Sequence, residues 1–390
     1  MTLHSELYDT IDEVDCDEWN SLRGGSDLFM SPEFIRAIES SMAEASSFRH
    51  VVFKNDAGAV IATACMSSYR VDASLLANGW MKKVASAIGR VIPFLTHFQI
   101  VFCGLPISAG QSNLRIAANA DPAEVLSELD GLLWKFATEI RARAIVFKEF
   151  SSEDCQRFAA LENLGYLRGD SLPMNETSTA PSSFEEYLAG LKSRKRSPIT
   201  RSQKKFARFN YRVEQMNGGA GADRIFTPQV YKLYEHVYSH AGVRLEKLSP
   251  KVFPELARQL PDNTDFTFIY DGDEVIAFAA SMFCPESFHQ MFVGYDESRN
   301  ADSDLYFNLF YQAIDRALRQ GCDRLLVGQS ADDFKHQKLS CRQRPLSFFI
   351  KGVNFTSRVV IPRAFGMLFP AQPIRFPNAD SEEPQTSSHA

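Results

Sequence analysis

Apolar residues alternate with polar ones, or gather in short runs, along two stretches of the chain that share one order of elements. In the first half, His50 to Lys54 (HVVFK) predicts a strand, Asp56-Ala57-Gly58 a turn, and Ala59 to Val71 a long return strand. In the second half, Asp265 to Tyr270 (DFTFIY), the turn Asp271-Gly272-Asp273, and Glu274 to Phe283 (EVIAFAASMF) repeat that hairpin. A further strand follows each, Gln99 to Cys103 (QIVFC) and Phe288 to Tyr295 (FHQMFVGY). Next comes an amphipathic helix leading into a buried strand: Pro122 to Arg141 before Ala144 to Phe150, and Asp304 to Arg319, stopped by Gly321, before Asp323 to Gly328. The second of these helices carries Leu305, Leu309, Ile314 and Leu318 on approximately one face, with Arg316 and Arg319 near the C-terminal end, where the dipole favours cations. The repetition predicts two α/β domains of one kind. The polar, turn-rich Asn175 to Ser183 sets the seam near residue 180, giving domains at 1–178 and 179–370. Residues 371–390, ending in ADSEEPQTSSHA, read as a disordered tail. Trp80 to His97 is an insertion between strands, read as a helix packed on the first domain, with a membrane surface or the roof of a groove as alternatives.

Charge adds one local feature to this pattern. The 390-residue chain has a net charge of -6, yet Lys192 to Arg212 holds Lys192, Arg194, Lys195, Arg196, Arg201, Lys204, Lys205, Arg208 and Arg212 and no acidic residue. Such a block is either a patch for an anion, phosphate first, or a solvated helix face. Ser197-Pro198 reads as an N-cap followed by proline at the first helical position, so a helix is expected from about Pro198 to Arg208, with a basic lead-in from Leu191 to Arg196 at its N-terminus. Phe206, Phe209 and Tyr211 interleave aromatic rings with the charges, for stacking on bases or for packing inward.

Composition narrows the class. Hydrophobic residues make up 45% of the chain and Phe alone numbers 31, enough to fill two cores. No run approaches ~18 apolar residues, and the N-terminal segment is acidic where a secretory signal would be basic and then apolar, so a cytoplasmic protein is expected. The 7 cysteines are scattered and never spaced C-x-x-C, which argues against a disulfide framework and a zinc site. His236 and His240 share a helical face, but the glutamate of E-H-V-Y-S-H lies outside the pair, and no metal is expected.

The order hairpin, central strand, helix, strand resembles the GNAT acyltransferase domain, and its tandem duplication resembles the FemABX group and the related peptidoglycan biosynthesis/recognition proteins. The resemblance rests on Tyr187 to Arg196 (YLAGLKSRKR), on Leu305 to Gly321, and on Val327-Gly328-Gln329-Ser330 with Phe334-Lys335. It covers about residues 15 to 365 and implies two tandem GNAT-like domains, each a mixed central sheet flanked by helices. It further implies an enzyme that transfers an acyl or aminoacyl group to an amine, with acyl-CoA or aminoacyl-tRNA as co-substrate and no tightly bound cofactor. The acceptor it implies is a small-molecule amine or a cell-wall precursor. Where acyl-CoA enzymes resemble R/Q-x-x-G-x-G/A, Asp296 to Asp304 (DESRNADSD) has no glycine and four acidic residues against Arg299 alone, a poor cradle for a pyrophosphate.

Acyl transfer needs a base for the amine and a donor for the carbonyl oxygen. His289, with its ordinary pKa near neutrality, is the first choice of base. Strand alternation sets it on one face with Met291, Val293 and Tyr295, opposite Phe288, Gln290, Phe292 and Gly294. Tyr295 and Tyr306 flank the donor loop as candidate acids. Arg194, Lys195, Arg196, Arg201, Lys204 and Lys205 are the expected contacts to the donor's phosphates, possible tRNA included. Arg244, Glu246, Gln290, Asn308, Gln329 and Lys335 are the expected substrate contacts, with Lys335 matching the family's F-K lysine. Lys148 and Glu149 hold the first-half position equivalent to Gln329 and Ser330. A non-catalytic module that binds RNA or an anionic glycan through the basic groove is the rival reading.

Overall fold

The computed structural model of the protein describes residues 3–72, 97–241 and 246–377. In the first half, β1 (His4–Tyr8), β2 (Phe48–Lys54), β3 (Val60–Asp72) and β4 (His97–Cys103) run antiparallel in turn. The short β5 (Leu114–Ile116) also pairs with β3, at Ala62–Ala64. β6 (Ala144–Phe150) lies parallel to β4, a pairing that requires a crossover, and the Pro122–Glu139 helix supplies it, burying Val125, Leu126, Leu129 and Leu133. β7 (Leu167–Asp170) ends the half.

β8 (Met174–Ser178) leads to the second half, where β9 (Arg212–Asn217), β10 (Thr264–Asp271), β11 (Glu274–Cys284) and β12 (Ser287–Tyr295) are antiparallel neighbours. β13 (Arg324–Leu326) lies parallel to β12 across the Leu305–Arg319 helix, so the repeated order of elements becomes a repeated fold. The turns predicted at Gly58 and Gly272 both have that glycine at positive φ, 77° and 59°.

Each sheet is completed by the other half. β8 lies between β13 and β14 (Arg342–Arg344) in the second sheet, and β15 (Ser347–Gly352) returns to lie between β6 and β7 in the first. The strand orders are therefore β1-β2-β3-β4-β6-β15-β7 and β14-β8-β13-β12-β11-β10-β9. Sheet membership crosses the 178/179 seam at both β8 and β15. One hydrophobic core also joins the halves: Phe29, Phe34 and Ile38 on or beside the Pro32–Met42 helix pack with Phe253 and Leu256 of the Val252–Gln259 helix and with Phe266, Phe268 and Phe278 of the second sheet.

Several expectations are corrected. The basic helix runs over Ser193–Phe206 and contains Pro198, so the lead-in is itself helical and Ser197 is not a cap. Burial of Ile199 and Ser202 outweighs the one backbone hydrogen bond that proline removes. The loop expected after β12 is a helix, Glu297–Ser303, joined to the Leu305–Arg319 helix through Asp304 at φ 55°. Residues 371–377, placed in the tail, are docked: Phe376 stacks on His336 at 3.8 Å and Arg375 pairs with Asp333 at 2.9 Å. Trp80 to Thr96 lies outside the described residues.

Candidate active site

β12 and β13 stay together only briefly. Their parallel pairing spans Ser287–His289 and Arg324–Leu326, after which β12 continues to Tyr295 paired with β11 but not with β13. At the point of divergence β12 is bulged: Gln290 pairs with Ser281 and Phe292 with Ala280, which leaves Met291 without a partner on β11. A bulge turns a strand's backbone and side chains at one point, and here it reverses the expected alternation. His289, opposite Met282, packs in the core between the halves, with its ring 4.8 Å from Phe29. Tyr295, opposite Ala277, lies on the other face against the Leu305–Arg319 helix, 5.5 Å from Tyr306. His289 and Tyr295 are thus not brought together. Gln290 is buried beside the bulge with neither its amide nitrogen nor its carbonyl oxygen hydrogen bonded. An unpaired buried amide costs ~1–3 kcal/mol.

Past β13 the chain turns at Gly328 (φ 82°) into Gln329, whose Nε2 donates to Glu149 Oε1 across the junction of the halves at 3.0 Å. Glu149 is itself buried at φ 62°, and its other oxygen accepts from the backbone N–H groups of Ala109 and Gly110 at 3.0 and 3.1 Å. The neighbouring Lys148 donates to the Ile107 carbonyl at 3.1 Å. The equivalent opening of the first sheet, beyond Cys103 and Phe147, is therefore occupied by the chain's own loop from Gly104 to Gly110.

Glu246 faces the same cluster. Burial raises its carboxyl to about 7; the Lys148 ammonium opposes that rise, the Glu149 carboxylate adds to it, and the Ser108 N–H is one of its hydrogen-bond partners. The adjoining backbone is fixed from both halves, with Lys247 N–H donating to Tyr69 Oη at 2.9 Å and Leu248 N–H to Tyr234 Oη at 3.1 Å. Lys335 is buried on the Asp332–Leu339 helix with its Nζ beside Gly328, and its ammonium has no hydrogen-bond partner among the described residues. Burial lowers it to about 8, against the pull of the Cys341 thiol and Asp332. Lys195 reaches the same Cys341 from the basic helix, and burial followed by Arg194 lowers it too. Lys335 beside Gly328, then Gln329, Glu149 and Glu246 form one series across the junction of the halves.

The remaining candidates fall apart from that series. His289 is carried to about 3 by burial, with Arg324 and Arg344 adding to the effect, and its Nε2 is 2.8 Å from Ser287 Oγ. Desolvation beside two guanidiniums disfavours the charged imidazole. His289 borders a cavity of about 190 Å³ between the halves. Tyr306 packs within 5.3 Å of Phe334, and Tyr295 is raised to about 12 by burial and then Glu297. Asn308 spends its amide nitrogen on the Asp304 carbonyl at 2.9 Å, which closes the first turn of its own helix. Lys205 donates to Asp304 at 2.8 Å and to the Ala301 carbonyl at 2.6 Å. Arg299 is ion-paired with Asp271, Glu274 and Asp296. Arg194, Arg201, Lys204 and Arg208 are exposed, with no ion-pair partner among the described residues. Arg244 lies outside the described residues. The Met291 bulge had no signal in the sequence; the tuned carboxyl at Glu246 became visible only once the fold set it beside Glu149.

Two mixed sheets built on one repeated plan, each with a parallel central pair that opens toward its C-terminal end, define a tandem GNAT fold. The chain belongs to the FemAB-like family, described as peptidoglycan biosynthesis/recognition, whose profile matches residues 10–338. Among solved structures it is similar to FemX, at 11% identity and TM-score 0.52 over 88% of this chain and 96% of that one. It is also similar to a tandem GNAT protein from the clavulanic acid biosynthesis pathway, at 10% identity and TM-score 0.50 over 90% of this chain and 99% of that one. A Mycobacterium tuberculosis protein carrying the name 8-amino-7-oxononanoate synthase 2 is 23% identical over 297 residues, 75% of this chain. The chain spans 37% of that relative's length. No helix among the described residues is long and apolar enough to cross a membrane.

Proposed function

We propose that the protein is an acyltransferase that moves an aminoacyl or acyl group from an activated carrier to an amine acceptor, with the second half as the working half. The observation that carries this reading is the run of contacts from Glu246 to Glu149 and from Glu149 to Gln329, which follows β13 where the second sheet opens, with the Lys335 ammonium beside Gly328. The amine attacks the donor's carbonyl carbon, a C–N bond forms, and the bond to the carrier oxygen or sulfur breaks. Glu246 takes the amine's proton, the main chain at the Met291 bulge offers its N–H to the carbonyl oxygen, and the Lys335 ammonium balances charge on the departing group. The corresponding opening of the first sheet is filled by the loop from Gly104 to Gly110, which supports a structural role for that half.

Of the two donors, aminoacyl-tRNA is the better supported. Arg194, Arg201 and Lys204 are exposed along the Ser193–Phe206 helix, Arg208 is exposed just beyond its end, and the four suit a phosphate backbone. The start of the Leu305–Arg319 helix, where a CoA pyrophosphate would be cradled, is closed by protein groups: Asn300 Oδ1 accepts from Tyr306 N–H at 3.0 Å, and Asp304 lies across it with Lys205. In line with the family description, the acceptor is an amine of a cell-wall precursor or a small amine of similar chemistry. Incubating the protein with charged total tRNA or with acetyl-CoA, plus a pool of cell-extract amines, tests this by mass shift. A ribonuclease-sensitive product supports the aminoacyl-tRNA reading, a product with acetyl-CoA alone transfers the claim to the other donor, and none with either sinks the transferase.

A further inference from the structure

The cavity bordered by His289 has a chemistry of its own that the transfer site does not use. Arg324, Arg344 and Arg115 line it together with Asp27, Glu286 and His289. Arg115 is fully engaged, holding Asp27 at 2.5 and 2.8 Å and the carbonyls of Ser112 and Leu114 at 2.8 Å each. The side chain of Arg324, at the start of β13, is exposed and has no hydrogen-bond or ion-pair partner among the described residues. Arg344 gives one Nη to the Gly110 carbonyl at 3.1 Å and lies 3.5 Å from Glu176, but its Nε is buried without a hydrogen bond. Two guanidiniums therefore line one cavity, Arg324 exposed at its mouth and Arg344 further in, where its one buried N–H without a hydrogen bond is the costly group.

The charge balance limits what can fill them. Arg115 is paired with Asp27 and Arg344 with Glu176, which leaves Arg324 and Glu286 as one cation and one anion at the rim. The cavity is thus neutral overall and suited to a zwitterion, with guanidiniums for its carboxylate and a carboxylate for its ammonium. At about 190 Å³ it has roughly six times the ~30 Å³ share of one water in the liquid. We infer that this cavity is a seat for the carboxylate of a small amino acid or of a peptide C-terminus, forked between Arg324 and Arg344, with the ligand's ammonium toward Glu286. A planar carboxylate matches the guanidinium fork better than a dianion matches a site of this net charge. The loop from Ala109 to Gly110 walls the seat from Glu149, because its N–H groups hold that carboxylate while its residues line the cavity. The inference concerns binding and stands whether or not the transferase reading does.

Calorimetric titration of the full chain with L-alanine, with a dialanine peptide, and with inorganic phosphate tests it. Binding of alanine or dialanine that weakens at least about tenfold in Arg324→Ala, with unchanged melting temperature, is the expected result. Alanine tighter than dialanine assigns the seat to a free amino acid; the reverse assigns it to a peptide end. Glu286→Gln should weaken both but leave acetate unaffected. Phosphate binding tighter than either carboxylate, carboxylate binding insensitive to Arg324→Ala, or no binding of either carboxylate overturns the assignment. Arg324 is the variant of choice because its side chain holds nothing in the fold.

Discussion

Glu246 and His289 show how little a residue's ordinary pKa says about its use. The histidine, near neutrality in water, is carried to about 3 by burial beside two arginines; the glutamate, ordinarily ionised well below neutrality, is carried to about 7 by burial and a neighbouring carboxylate. The free enzyme's kcat/KM should rise with pH through about 7 as Glu246 loses its proton, then fall through about 8 as Lys335 loses its charge. Glu246→Gln should remove the acid limb and about 10²–10³-fold of the rate, and Lys335→Met should remove the alkaline limb. A profile that keeps its acid limb in Glu246→Gln would assign that limb to another group. The imidazole C–H resonances of His289 should not move between pH 5 and 8, a range set by the ordinary histidine pKa. The same shift at Glu246 bears on stability. Its folded pKa lies above the unfolded value of 4.5, so its contribution is fully present below 4.5 and is lost as pH rises through about 7. Glu246→Gln should flatten that decline in a series of chemical denaturations.

The elements of both repeats were legible in the sequence because hydrophobic alternation and turn glycines are local signals; β2, β3, β10, β11 and the Leu305–Arg319 helix all lie where the pattern put them. The basic helix was legible as a charge pattern but not in its bounds, because a Ser-Pro cap signal yielded to the burial of Ile199. The Met291 bulge was illegible, since register depends on which strand lies alongside, and it reversed the face of every later residue on β12. Within the basic block, structure separates residues that charge alone had grouped. Replacing Arg194, Arg201, Lys204 and Arg208 with alanine should weaken tRNA binding and flatten its salt dependence by about 3–4 units of logarithmic slope. Lys205→Ala should leave that slope almost unchanged and cost up to ~1 kcal/mol of stability through the lost Asp304 pair. Equal effects on salt slope in the two variants would contradict this division.

At the scale of the whole molecule, the exchange of β8 and β15 makes the halves mutually dependent. The first sheet has β15 in its interior and the second has β8, while a shared core fills the space between them. Fragments cut at the seam the sequence indicated, 1–178 and 179–390, should each fail to fold alone, and together they should recover the native circular dichroism. The intact chain should unfold in one cooperative transition, whereas two separated transitions would show that the sheets do not depend on each other. The exchange also gives the candidate site its geometry, because Gln329 and Glu149 belong to different halves and meet only when both sheets are complete. The most direct test of the central claim is single-turnover transfer from charged tRNA by the intact protein and by Glu246→Gln. Ribonuclease-sensitive product is expected from the first, at a rate that climbs through pH 7, and from the second a rate at least about a hundredfold lower that no longer climbs there; equal rates from the two proteins would contradict the role of Glu246.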